Sequence, residues 1–190
     1  KGEAEAKAAE RAEYDKKNVA ETFAEEIKGY HAKTPVKINQ TKVTSFGENN
    51  TPFTYTTDYQ IDGLVKKAGK NLVVSVGQLV GPQKHIEGKE RERDADIVYN
   101  YPSTYTVTLT LDIPQGYSVA AESLQKLTNH VDNEAVGFES KAETSDGKLV
   151  INFQKTYKQQ QIPAANWSQV LNMLDRAYDF TSQQVVLKKM

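Results

Sequence analysis

Cysteine is absent from all 190 residues. The chain therefore forms no disulfide, offers no thiolate to a metal and has no cysteine nucleophile. That absence suits a reducing compartment, and equally an oxidising one where the protein avoids thiols. Long apolar runs are missing too. No stretch approaches the roughly 18 residues that a membrane-crossing helix needs. Neither sign of charge is in excess: 24 basic side chains face 25 acidic ones, for a net charge of -1. That balance gives no electrostatic footprint for nucleic acid. Glycine-rich phosphate loops, a serine nucleophile elbow and basic stretches interleaved with aromatics are also lacking. The chain opens at Lys1 with no Met and no secretory apolar segment, as expected of part of a longer polypeptide or of a processed product.

What is present is periodicity. Thr104 to Pro114 reads TYTVTLTLDIP, with Tyr105, Val107, Leu109, Leu111 and Ile113 alternating against polar residues. Strict period-two alternation marks a strand with one buried and one wet face. Phe53 to Ile61 alternates likewise, and so do Leu149, Ile151 and Phe153. These two runs are the expected partners of the Thr104 strand. Val36 to Ser45 alternates with a change of parity near Val43, which predicts a bulge or a bend. GENNTP at residues 47–52 predicts a turn and, with the runs on either side of it, a hairpin. Ser145-Asp146-Gly147 between two alternating runs predicts a tight hairpin. Further strands are expected at Leu72–Val76, Ile97–Tyr101, Leu127–Val131 and Gln183–Leu187. Gly77–Ile86 reads as a loop or a short edge strand.

Two helices frame these strands. Residues 2–32 are rich in Ala, Glu and Lys, and only their second half has a large apolar face, made of Val19, Phe23, Ile27 and Tyr30. Pro163 suits a first helical position, ahead of a face formed by Trp167, Val170, Leu171, Leu174 and Tyr178. The expected fold class is mainly β: an antiparallel β-sandwich, immunoglobulin-like in style, with an N-terminal and a C-terminal helix packed on it. Residues 1–33 are expected to be a helical linker from an upstream domain, and residues 34–190 the sandwich with its C-terminal helix.

Residues with chemistry are scattered. His31, His85 and His130 lack the spacing of a zinc motif. His31 is expected as a cation at a helix C-terminus, and the other two at the surface. Glu90, Glu92, Asp94 and Asp96 alternate with Arg91 and Arg93 in the most charged stretch, Lys84–Asp96, as in a self-neutralised loop or edge. Among the tyrosines, Tyr55, Tyr59 and Tyr105 share apolar parity and are expected in the core, as is Trp167. Tyr99, Tyr101 and Tyr117 are the expected ligand or partner surface.

Three segments together resemble a known family. They are RERDADIVYNYPSTYTVTLTLDIPQGYSV at Arg91–Val119, GKLVINFQKTYKQQQIPAANWSQVLNML at Gly147–Leu174 and QQVVLKK at Gln183–Lys189. In order and spacing they are similar to the C-terminal domain of unknown function that follows a transglutaminase-like domain in Gram-negative envelope proteins. Arg93, Pro102, Pro114, Gly116, Tyr117, Pro163 and Leu187 match its pattern, while Trp167 stands where the family often has Tyr. The transglutaminase-like superfamily uses a Cys-His-Asp arrangement, so the resemblance places any such site upstream of Lys1. It implies a noncatalytic structural or interaction domain without a cofactor. The implied setting is periplasmic or at the cell surface. The implied partners are the upstream transglutaminase-like domain and a glycan or protein, with no nucleic acid and no transmembrane segment in this chain. A second reading is a carbohydrate- or peptidoglycan-binding module, which needs an exposed, near-coplanar row of aromatic rings. A third is a hydrolase, which needs paired acids lining a cleft.

Overall fold

The computed structural model describes residues 19–31, 35–46 and 52–190. The first half of the expected N-terminal helix and the 47–51 part of the GENNTP turn lie outside the described residues. The chain divides into two compact units, residues 1–63 and residues 64–190.

The described part of the first unit is helix α1 (Val19–Tyr30) with an antiparallel hairpin of β1 (Val36–Phe46) and β2 (Phe53–Ile61). The register slips between Ile38 and Gln40 and again between Val43 and Ser45, where the change of parity predicted a bulge or a bend. Exposure alternates along β2, so the hairpin has one covered face. Phe23 of α1 is buried there, its ring 4.2 Å from that of Tyr55 and 5.3 Å from that of Phe53. Of the expected helix face, Ile27 is half-buried and Tyr30 is exposed. Phe53–Ile61 forms the expected hairpin with the strand before it, and does not also pair with the Thr104 strand. It spends its ladder on β1, its neighbour along the chain, which is the cheaper closure.

The second unit opens with β3 (Val65–Ala68) and β4 (Asn71–Val74), shorter than expected. The supposed loop after it is instead a buried 3-10 turn, Val76–Val80, because Val76 and Val80 carry apolar side chains into the core. There follow β5 (Ile97–Val98), β6 (Ser103–Asp112), β7 (Tyr117–Val119), a short helix α2 (Ala121–Lys126), β8 (Asn129–Asp132), β9 (Val136–Ser145), β10 (Lys148–Tyr157), β11 (Gln161–Ile162), helix α3 (Trp167–Phe180) and β12 (Val185–Lys189). One sheet has the order β6-β10-β9-β8 and the other β3-β4-β12-β7, all antiparallel, with β5 and β11 as a separate pair. The β9–β10 hairpin turns at Asp146 (φ 52°) and Gly147 (φ 73°), the left-handed pair that the Asp-Gly signal predicted.

The core lies between the sheets and under α3. Leu149, Ile151 and Phe153 of β10 meet Leu111, Leu109 and Val107 of β6 across the ladder. Val74, Val185 and Leu187 of the second sheet join the same cluster. Trp167, Val170, Leu171 and Leu174 of α3 are buried as expected, but the face is centred on Met173, Ala177 and Phe180, which leaves Tyr178 exposed. Pro163 is not the first helical residue. It precedes a 3-10 turn, Ala164–Asn166, and α3 begins at Trp167. A side chain distant in sequence serves this entry: Asp96 Oδ1 accepts the Ala164 N–H at 2.9 Å. The fold is thus mainly β, antiparallel, with a helix toward each end. None of the described helices is long and apolar enough to cross a membrane.

Candidate functional site

The expected tyrosine surface separates into different clusters. Tyr99 is half-buried, tilted against Tyr157 of β10 with ring centroids 4.8 Å apart and planes at 48°. Tyr101 is half-buried, its hydroxyl enclosed without a hydrogen-bond partner among the described residues. Tyr117, on β7, lies under the Lys189 ammonium at 4.7 Å from its ring. Tyr105 departs from its expected place in the core. It is 44% exposed, because β6 is an edge strand, yet its hydroxyl donates to the Val80 carbonyl at 2.8 Å. Burial raises the phenol pKa of Tyr99 and Tyr105, and burial and then Tyr99 push Tyr157 up to about 12. These phenols stay protonated in neutral solution, and Tyr105 acts as a hydrogen-bond donor, not as a base.

Lys155 sits among them, and sequence reasoning passed over it. On β10 it follows Leu149, Ile151 and Phe153 at the same parity, so its side chain starts on the core side of the sheet. Its ammonium lies 5.9 Å from the rings of both Tyr105 and Tyr157 and donates to Gln83 Oε1 at 2.8 Å. Burial lowers its pKa. Beyond that amide oxygen, the two aromatic faces add the negative potential typical of cation–π contacts.

The charged 84–96 stretch is a loop, as one of its two expectations had it, with a 3-10 turn at Gly88–Arg91, and it is tied down. The Arg91 guanidinium makes two hydrogen bonds to the Asp175 carboxylate, at 3.0 and 2.8 Å, and a third to the Ile86 carbonyl. The Trp167 indole N–H donates back to the Arg91 carbonyl at 3.0 Å, and Arg93 lies over the Trp167 ring. His85 stacks on Tyr178 at 4.0 Å and its Nε2 is 2.7 Å from Glu87. The Arg91 hydrogen bonds hold Asp175 below the usual carboxylate range. Donors likewise lower Asp96 (the Gln161 side chain first), Glu122 (its own backbone first) and Asp132 (Lys158 first). A general acid needs the opposite shift. No cluster of three metal-ligating side chains occurs among the described residues.

His31 corrects an expectation. It ends α1, but it is only 8% exposed, and burial lowers its pKa below 6.5, so it is not a solvated cation. The unfolded chain then binds this proton more readily than the folded one. Stability is expected to fall as pH drops below 6.5 and to level off once His31 is protonated in the folded protein too. An NMR titration of the His31 ring should give a midpoint below 6.5, and a midpoint above it would contradict the burial.

Two adjoining features of the second unit can hold a ligand. An apolar cleft of about 140 Å³ is lined from one sheet by Val65, Leu72 and Leu187 and from the other by Leu111, Ile113 and Leu149. Leu72 also lines a groove of about 600 Å³, together with Lys67, Lys70, Asn71, Tyr117 and Lys189. The strand order β3-β4-β12-β7 carries Lys67 and Lys189 onto one sheet. Asn71 Oδ1 accepts the Lys189 backbone N–H at 3.1 Å and fixes the end of β12. Among the described residues, Lys67, Lys70 and Lys189 have no carboxylate within 4.0 Å. Of the expected surface tyrosines, only Tyr117 lines this groove. The three lysines come from opposite ends of the unit, and no local motif signals their meeting.

No curated protein and no solved structure matches the chain. The sequence model of a family described as a Domain of Unknown Function, DUF3858, matches residues 70–187, which is more than half of the chain and most of the second unit. On that match, the chain belongs to the DUF3858 family.

Proposed function

We propose that this chain is a noncatalytic accessory domain of a larger transglutaminase-like protein of the Gram-negative envelope, periplasmic or exposed at the cell surface. It stabilises or orients its neighbour, or offers a surface to a partner. The observation that carries this reading is the absence of cysteine from the sequence, since the neighbouring superfamily works through a cysteine thiolate. The lowered carboxylates and the protonated phenols agree with it. Glycan stacking is the weaker reading. The Tyr117 face toward Lys189 is engaged and Tyr99 is packed on Tyr157, so these rings do not form a free coplanar row. The test has two arms. The purified chain should show no amine incorporation and no peptide cleavage above a buffer blank. Deleting residues 64–190 from the full-length polypeptide should lower the melting temperature of the catalytic domain or abolish capture of its partner. Turnover by the isolated chain would overturn the proposal.

A further inference from the structure

The cleft and the lysine groove share Leu72 in their walls, and their chemistries differ. The cleft opens between β3 and β6, the outer strands of the two sheets. Val65, on its rim, is 55% exposed. Asp112 is the one acid on that rim, and it is held by Lys148 at 3.0 Å, so it does not neutralise the groove. Three ammonium groups without carboxylate partners thus stand beside an apolar slot. The complement of such a surface is a molecule with an anionic head and an apolar tail.

We infer that this site binds an alkanoate, a carboxylate-headed acyl chain, with its tail between the sheets and its head among Lys67, Lys70 and Lys189. The cleft volume of about 140 Å³ equals about five water-sized volumes, room for about five methylenes. An eight-carbon chain fills the slot and still reaches the lysines. The site is independent of the proposed role beside a catalytic domain, because it lies wholly within the second unit.

The test is an NMR titration of the ¹⁵N-labelled chain with butanoate, hexanoate and octanoate, with acetate and octan-1-ol as controls. Each added methylene should tighten binding roughly fourfold until the slot is full. Shifts should fall on Val65–Val74, Leu111–Pro114 and Val185–Lys189. Octan-1-ol should bind several-fold more weakly than octanoate. The double variant Lys67→Gln with Lys189→Gln should bind octanoate roughly fivefold more weakly and octan-1-ol unchanged. Both lysines are exposed, so the variant should keep the parent's melting temperature. The inference fails if affinity ignores chain length, if octan-1-ol matches octanoate, if the shifts map elsewhere, or if no saturable binding occurs at millimolar concentration. It also fails if an acidic peptide displaces octanoate at a lower concentration than octanoate itself requires, since the occupant is then a protein segment.

Discussion

Replacing Phe153 by Ala is expected to remove about 3–5 kcal/mol of stability from the second unit. Phe153 is fully buried at the middle of β10, with β6 on one side and β9 on the other. Three rings meet its edges or faces: Phe138 at 5.1 Å, Phe180 at 5.2 Å and Tyr105 at 6.2 Å. Alanine would lose the transfer free energy of the ring and leave a void that a two-sheet core cannot close. Domains of this size hold roughly 5–15 kcal/mol in total, so the loss is about a fifth of that or more. Trp167, the single tryptophan, is buried in this unit and reports its unfolding by fluorescence. Urea curves for the variant should shift at unchanged slope. Tyr105→Phe is the control. It gives up the hydroxyl bond to the Val80 carbonyl and should cost only about 1 kcal/mol. A Phe153→Ala loss no larger than the control's would mean that the aromatic stack does not organise the core.

The same stack shows how far the sequence carried the fold. The alternation of Thr104–Pro114 located β6 closely, and the Asp146-Gly147 turn paired its partner β10 with β9 in register. Alternation tells that a strand has a covered face, but not which element covers it. Hence Phe53–Ile61, equally periodic, forms the hairpin that its turn predicts but not the second pairing, with β6, that its alternation alone suggests. Nor does it separate edge from centre. Tyr105 holds the inward parity and is still 44% exposed, because β6 is the outer strand of its sheet. The helix Ala121–Lys126 has six residues, too few for a period to show.

The candidate site was less legible still. Lys155 had a local signal, a charge at the apolar parity of LVINFQKTY, and it was readable before the structure. The Arg91–Asp175 pair had none, since 84 residues separate its members. The lysine groove depends on β12, the last strand, lying between β4 and β7. Only topology puts Lys189 on the sheet that carries Lys67. Tyr117 was chosen for its apparent exposure, and it belongs to the site for another reason, the β7–β12 pairing that seats Lys189 over its ring.

Gly77→Ala should be as damaging as the loss of Phe153, by the opposite mechanism. A Cβ on Gly77 would lie 2.1 Å from the Phe180 carbonyl oxygen and 2.6 Å from the carbonyl carbon and oxygen of Thr181. These are backbone atoms, so no rotamer change relieves the overlap. The two segments are also fastened together, with the Gly77 N–H donating to the Gln183 carbonyl at 3.0 Å. Moving Gly77 away would drag Val76 out of the core, and moving the other side would displace Phe180. Both residues are almost fully buried. Overpacking a well-filled interior costs about 1–3 kcal/mol when side chains can adjust, so a clash confined to backbone should reach about 3 kcal/mol or more. Gly147→Ala is the comparison. Gly147 has φ 73°, where alanine is strained by about 1–2 kcal/mol, but its Cβ would enter open space. A rule based on backbone conformation alone ranks Gly147 as the sensitive site, because Gly77 has no left-handed φ. Contact with the chain leaving α3 reverses that order. Paired urea titrations of the two variants decide it, and a Gly77→Ala midpoint at or above that of Gly147→Ala would show that the Val76–Val80 turn can yield without disturbing the core.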